Sequence, residues 1–107
     1  MVDDRADGAV PHGYFERRSD RVAVNAEVAL RRSGALNYRV RVFDASPLGC
    51  MLEFVERPQL DERVWVKFEG LDAIEGVIAW SEGFRAGVQY ARPMYPPVFD
   101  ALVARLA

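Results

Sequence analysis

The sequence predicts an all-β fold, a six-stranded antiparallel β-barrel closed by a short C-terminal helix, and three observations carry that prediction. Apolar residues alternate with polar or small ones in six separate stretches between Val22 and Tyr90, the period-two signature of half-buried strands. Pro, Gly, Asp or Ser residues punctuate the gaps between the stretches. Beyond Pro93, Pro96 and Pro97 the apolar period changes from two to that of a helix.

The first strand is read from Val22, Val24, Ala26, Val28 and Leu30, and Arg31-Arg32-Ser33-Gly34 follows as a turn. Tyr38, Val40 and Val42 alternate with Arg39 and Arg41 in a second strand that is expected to end at Asp44, where Asp44-Ala45-Ser46-Pro47-Leu48-Gly49 begins a turn. Cys50, Leu52 and Phe54 form a third strand, Val64, Val66 and Phe68 a fourth, Ile74 to Trp80 a fifth and Arg85 to Tyr90 a sixth. Closing six short strands into a barrel removes the exposed edges that an open sheet would leave. Phe99, Leu102, Val103 and Leu106 then fall at helical spacing, and Pro97 suits a first helical turn. A helix of roughly ten residues is too short to persist alone and must dock its apolar stripe on the barrel.

Residues 1–16 contain Gly8, Pro11, Gly13 and scattered charges without a period, which predicts a flexible N-terminal arm ahead of a barrel domain over residues 17–107. At 107 residues the chain has room for one core. Half of its residues are hydrophobic, enough to offset the ordering entropy of a folded domain. Sixteen acidic residues against fourteen basic ones disfavour a grip on long nucleic-acid polymers, which rests on counterion release. Thirteen of the fourteen basic residues are arginines, eight of them at or before Arg41, and arginine forks suit phosphate and guanine better than lysine does. Cys50 is the only cysteine and His12 the only histidine, so neither an internal disulfide nor a cysteine-based zinc site is expected. The N-terminus lacks an apolar core, so no signal peptide or membrane insertion is expected, and the expected location is the cytoplasm.

Two local features bear on function. Arg17-Arg18-Ser19-Asp20-Arg21 stands immediately before the first strand, and Asp44-Ala45-Ser46-Pro47-Leu48-Gly49 stands between the second and third. Taken singly, the first is an ordinary solvated charge run and the second an ordinary hairpin turn with Pro47 at its second position and Gly49 at its fourth. Their combination, R-x-x-x-R before the first strand and D-x-S-x-x-G two strands later, resembles the PilZ domain family of bacterial proteins. Trp80 in the fifth strand and Gly87-Val88-Gln89-Tyr90 in the sixth are similar to that family's late W and G-V-x-F positions, and the resemblance covers about residues 15 to 106.

The resemblance implies a six-stranded barrel that binds the second messenger cyclic di-GMP, with Arg17 and Arg21 matching the arginines of the first motif and Asp44, Ser46 and Gly49 matching the second. The chemistry of these residue types agrees. A guanidinium fork can donate to the adjacent O6 and N7 acceptors of guanine. The two phosphates of the dinucleotide reward charge-assisted bonds from further arginines, and Arg18 is expected to serve there. Ionised Asp44 is acceptor-only and suits the N1 and N2 donor edge, the Ser46 hydroxyl can bond ligand or loop, and Gly49 is expected to turn with positive φ and admit the ligand closely.

In this reading the protein is a receptor or adaptor without a cofactor. Ligand binding orders the arm from about Tyr14 to Arg21 and alters contact with an unidentified protein partner, the receptor itself being a monomer or weak homodimer. The main alternative is a barrel of the same family that serves as a protein-interaction module without nucleotide. A nucleic-acid-binding barrel is disfavoured by the net acidity. Catalysis has little to stand on, because Ser46 lacks a G-x-S-x-G context and Cys50 has nothing in the sequence to activate it.

Overall fold

A computed structural model describes residues 21–34 and 37–106. Six strands, β1 (Val22–Arg32), β2 (Tyr38–Ser46), β3 (Gly49–Glu53), β4 (Arg63–Lys67), β5 (Ile74–Glu82) and β6 (Arg85–Tyr90), precede one helix, α1 (Pro96–Leu106). They form a closed barrel in the order β1-β2-β3-β6-β5-β4, and every neighbouring pair is antiparallel. Closure depends on β1, the longest strand, which pairs with β2 over most of its length and with β4 through Ala29–Arg32.

Strict alternation explains the core. Val28, Leu30, Val40, Val42, Leu52, Val64, Val66, Ile78 and Val88 are all buried, each separated from an inward neighbour by one outward residue. β-branched side chains dominate this list, which suits the pleated wall of a small barrel. The register shifts by a bulge in β1 between Ala23 and Ala26, in β2 between Val42 and Asp44, and in β5 between Ile78 and Trp80. Bulges sharpen the local bend and twist that allow a sheet of six short strands to close on itself.

The helix seals one end of the barrel. Phe99 and Leu102 are buried, and Val103 and Leu106 pack against the same core. Burying side chains of this size contributes roughly 1.5 to 3 kcal/mol each, which holds a helix too short to survive in isolation. Its C-terminal turn is tied down by Arg105, whose Nη2 donates to the Glu69 carbonyl at 3.0 Å. At the other end of the helix, Met94 N–H donates to Pro47 O at 2.6 Å and Tyr90 N–H donates to Leu48 O at 2.9 Å, which fastens the β2–β3 turn to the segment leading into α1.

The opposite end is closed by the β3–β4 connection. Arg32, at the end of β1, donates from Nε and Nη2 to both carboxylate oxygens of Glu62, the latter bond at 2.7 Å, and also reaches the carbonyls of Glu56 and Arg57. Partial burial works to raise the Glu62 pKa, but the Arg32 bonds and the Gln59 N–H overcome it and hold the carboxyl below its ordinary value of 4.5. The bonds to Glu62 push the Arg32 guanidinium further up, against a lesser opposing effect of burial.

The expected strands and helix are present, with corrections at several boundaries: Phe54 and Phe68 fall just outside β3 and β4, Gly49 lies within β3, and β5 runs on to Glu82. The first strand runs through Arg32, so the predicted Arg31–Gly34 turn is confined to Ser33 and Gly34. The second strand runs to Ser46 and does not end at Asp44.

A Glu62 pKa that is lower in the folded than in the unfolded chain contributes stability above pH 4.5, and this is lost as pH falls through the folded value. Glu62→Gln is therefore expected to cost roughly 1 to 3 kcal/mol at pH 7. Urea denaturation of both proteins should show the difference shrinking towards zero well below pH 4.5, where the native carboxyl is protonated.

Candidate functional site

Asp44, Ala45 and Ser46 are the last three residues of β2, paired with Met51, Cys50 and Gly49 of β3. Strand alternation turns Ala45 and Cys50 into the core, where they are 1% and 0% exposed, and sets Asp44 and Ser46 on the opposite face, where Asp44 is partly covered and Ser46 is fully buried. The D-x-S spacing is thus a strand spacing that sets two polar side chains on one face. The connection itself is only Pro47 and Leu48, and the Ser46 Oγ accepts the Leu48 N–H at 3.0 Å, fixing the turn from within. Ser46 is the one buried polar residue among the described residues.

Gly49 departs from expectation. It is a paired strand residue opposite Ser46 and is not among the glycines with positive φ, which are Gly34, Gly70 and Gly83. A turn with Pro at its second position and two central residues at negative φ needs no left-handed residue at its fourth.

Arg21 immediately precedes β1, whose Val22 and Ala23 pair with Ala45 and Asp44. That register carries the end of the first motif onto the second. Arg21 Nη2 donates to Asp44 Oδ2 at 2.6 Å, with the arginine side chain one-third exposed and the aspartate largely covered. The other carboxylate oxygen, Asp44 Oδ1, is buried and has no hydrogen-bond partner among the described residues. A buried acceptor left unsatisfied carries a desolvation cost, so this oxygen is poised for a donor. Arg17 and Arg18 lie outside the described residues, as does the arm over residues 1–16. The structure therefore brings together Arg21, Asp44, Ser46 and Gly49 at one corner of the barrel wall.

A family model described as the PilZ domain matches residues 15–106. The chain belongs to the PilZ domain family. Members are in general cyclic di-GMP-binding adaptor modules and not enzymes. A search of curated proteins gave no match to this chain.

Chemistry elsewhere in this PilZ domain is subdued. Burial pushes the Cys50 thiol up to about 12, with the Tyr90 hydroxyl pulling the other way and the Asp44 charge adding to the rise. A thiol in that state is a small core side chain and not a nucleophile at neutral pH. Burial, followed by the neighbouring Cys50, likewise raises the Tyr90 phenol well above its ordinary range. Among the described residues no group of three or more His, Cys, Asp or Glu side chains is placed to hold a metal ion, and no helix is long and apolar enough to cross a membrane.

Sequence reasoning missed how the outer wall is furnished. Trp80 and Met51 both pair with Gly87, so the row Asp44–Met51–Gly87–Trp80 crosses four strands on the outside of the barrel. The Trp80 indole lies on Gly87 so closely that a Cβ there would sit 2.1 Å from its Nε1. This close approach gives a physical reason for a W and a G recurring together in the sequence pattern. Trp65 is also outward, with the Arg31 guanidinium 4.0 Å above its ring. The signal for Phe43 was available, since it is a large apolar residue in an outward slot of β2, at the bulge.

Gly87→Ala is expected to force the indole off the wall, at a cost of roughly 1 to 3 kcal/mol. Thermal unfolding followed by tryptophan fluorescence should show a lower midpoint and an altered native emission spectrum. An unchanged spectrum would mean that the ring does not rest on Gly87.

Proposed function

We propose that this PilZ domain is a cyclic di-GMP receptor and adaptor that takes the dinucleotide on the outer wall where the start of β1 meets the β2–β3 turn. The observation that carries the reading is the Arg21–Asp44 pair at 2.6 Å, by which two motifs more than twenty residues apart in sequence share one location. Arg21 and Arg17 supply guanidinium forks for guanine O6 and N7 or for phosphate, with Arg18 as a further phosphate contact. Asp44 Oδ1, which has no donor among the described residues, is an acceptor for the N1 and N2 donors of guanine, so ligand would satisfy a buried polar atom. Ser46 and Gly49 serve the site through the backbone: the hydroxyl holds the turn, and Gly49 keeps the wall beside it free of a side chain.

The turn is tied to the rest of the fold by the Met94 and Tyr90 amides, so this half of the site is rigid before ligand arrives. In the proposed mechanism the dinucleotide fixes the segment from Tyr14 to Arg21 against this rigid half and so changes the surface that a protein partner meets. Protection of that segment from limited proteolysis on addition of cyclic di-GMP is the expected sign; unchanged cleavage would argue against the mechanism.

Isothermal titration calorimetry with cyclic di-GMP, and with GTP as a control, tests the binding itself. Saturable binding of the dinucleotide is expected, with Arg21→Ala and Asp44→Ala each costing roughly 1 to 3 kcal/mol. Because the two side chains touch, the double variant should lose less than the sum of the single losses. Wild-type affinity in both single variants would refute the site, and absence of binding would leave a PilZ module that works through protein contacts alone.

A further inference from the structure

Five of the ten arginines among the described residues are engaged by oxygen: Arg21 by Asp44, Arg32 by Glu62, Arg39 by Glu27, Arg63 by Glu75 and Arg105 by a carbonyl. Three of the others form a group. Arg41, Arg57 and Arg85 are exposed and rest on phenylalanine rings, with no carboxylate within ion-pair distance and no side-chain hydrogen bond among the described residues.

The Arg85 guanidinium lies 4.0 Å from the Phe43 ring centre and Arg41 lies 5.9 Å from it. Arg57 lies 5.3 Å from Phe84, the residue that precedes Arg85 and is itself 46% exposed. Phe84 is brought to this place by its carbonyl, which accepts the Phe54 N–H at 2.7 Å. The result is a stripe of alternating arginine and phenylalanine that runs from β2 across the start of β6 to the β3–β4 connection.

We infer that this stripe is a docking surface for an acidic segment of a partner protein. Arginine and aromatic side chains are the groups that most often carry protein–protein binding energy. Stacking on a ring restrains each guanidinium while leaving its N–H donors directed outward, so little further ordering is needed to grip a carboxylate. The surrounding charge selects among anions. In register, Arg41 faces Glu53 and Glu53 faces Arg85, while Arg85 also faces Glu82 on β5.

This alternation repels a polyphosphate chain, which brings a negative charge at every unit. It admits a peptide whose carboxylates are spaced to meet the arginines and miss the glutamates. Phe43 directly precedes Asp44, so the stripe adjoins the proposed nucleotide site without sharing its residues. The surface and the inference stand whether or not that site binds cyclic di-GMP.

The test is selection from a random-peptide display library on the full chain, followed by affinity measurement of the enriched peptides on wild type and on Arg41→Gln/Arg85→Gln. All three arginines are exposed, and an unchanged melting temperature verifies folding; single Arg57→Gln provides a second variant. The expected result is enrichment of Asp- and Glu-rich peptides whose affinity falls about tenfold or more in the double variant, with cyclic di-GMP affinity as in wild type. Enrichment without acidic bias, or equal peptide affinity in both variants, would overturn the assignment. Binding of a single-stranded oligo-dT that the double variant loses would assign the stripe to nucleic acid and also overturn it. A parallel loss of cyclic di-GMP affinity would place these arginines in the nucleotide site and do the same.

Discussion

Strand β1 is paired on both sides, with β2 from Val22 to Leu30 and with β4 from Ala29 to Arg32, and the second of these ladders joins residues more than thirty positions apart to close the barrel. Closure fixes which side chains are outside. Once β1 and β2 are in register, Ala23 faces Asp44, and Arg21 is left at the wall where the D-x-S residues emerge. A register slip of one residue would send Asp44 inward and Ala45 out, so the integrity of the site and that of the core are the same constraint.

Two arginine–carboxylate pairs at opposite ends of the molecule illustrate different uses of one interaction. Arg32–Glu62 is doubly bonded, largely covered and reinforced by two carbonyls, and it holds the β3–β4 connection over the barrel mouth. Arg21–Asp44 joins one guanidinium nitrogen to one carboxylate oxygen beside a one-third exposed arginine, and among the described residues the other carboxylate oxygen is buried without a donor. The first pair is satisfied and structural. The second is incomplete in a way that an incoming hydrogen-bond donor would complete, which is the state expected of a binding surface and not of a latch.

Much of the fold is legible in the sequence because alternation is a direct consequence of a two-sided wall. All six strands and the helix follow from the spacing of residues such as Val28, Leu30, Val40, Val42, Val64 and Val66. Strand ends are less legible because their causes are distant. β1 continues through Arg31 and Arg32 because one stacks on Trp65 and the other binds Glu62, contacts that no local pattern announces. β2 continues through Asp44 and Ser46, residue types that favour turns, because β3 pairs with them and Ala45 fills an inward slot.

The meeting of Arg21 with Asp44 was implied by motif resemblance, whereas its geometric cause, the β1–β2 register, is seen only in three dimensions. The Trp80–Gly87 contact and the arginine–phenylalanine stripe depend on which outward residues become neighbours after closure, and the bulges at Phe43 and after Ile78 that set this are invisible to periodicity.

The central claim is that barrel closure assembles one nucleotide-binding corner from the residue before β1 and the β2–β3 turn. Backbone amide chemical shifts of the uniformly ¹⁵N-labelled chain, recorded during titration with cyclic di-GMP, test it most directly. The account predicts that the largest changes cluster at Arg21 to Ala23 and at Asp44 to Gly49, with α1 and the β4 wall little affected. Saturable changes centred instead on the helix, on the Arg32–Glu62 end or on the β1–β4 ladder would contradict it.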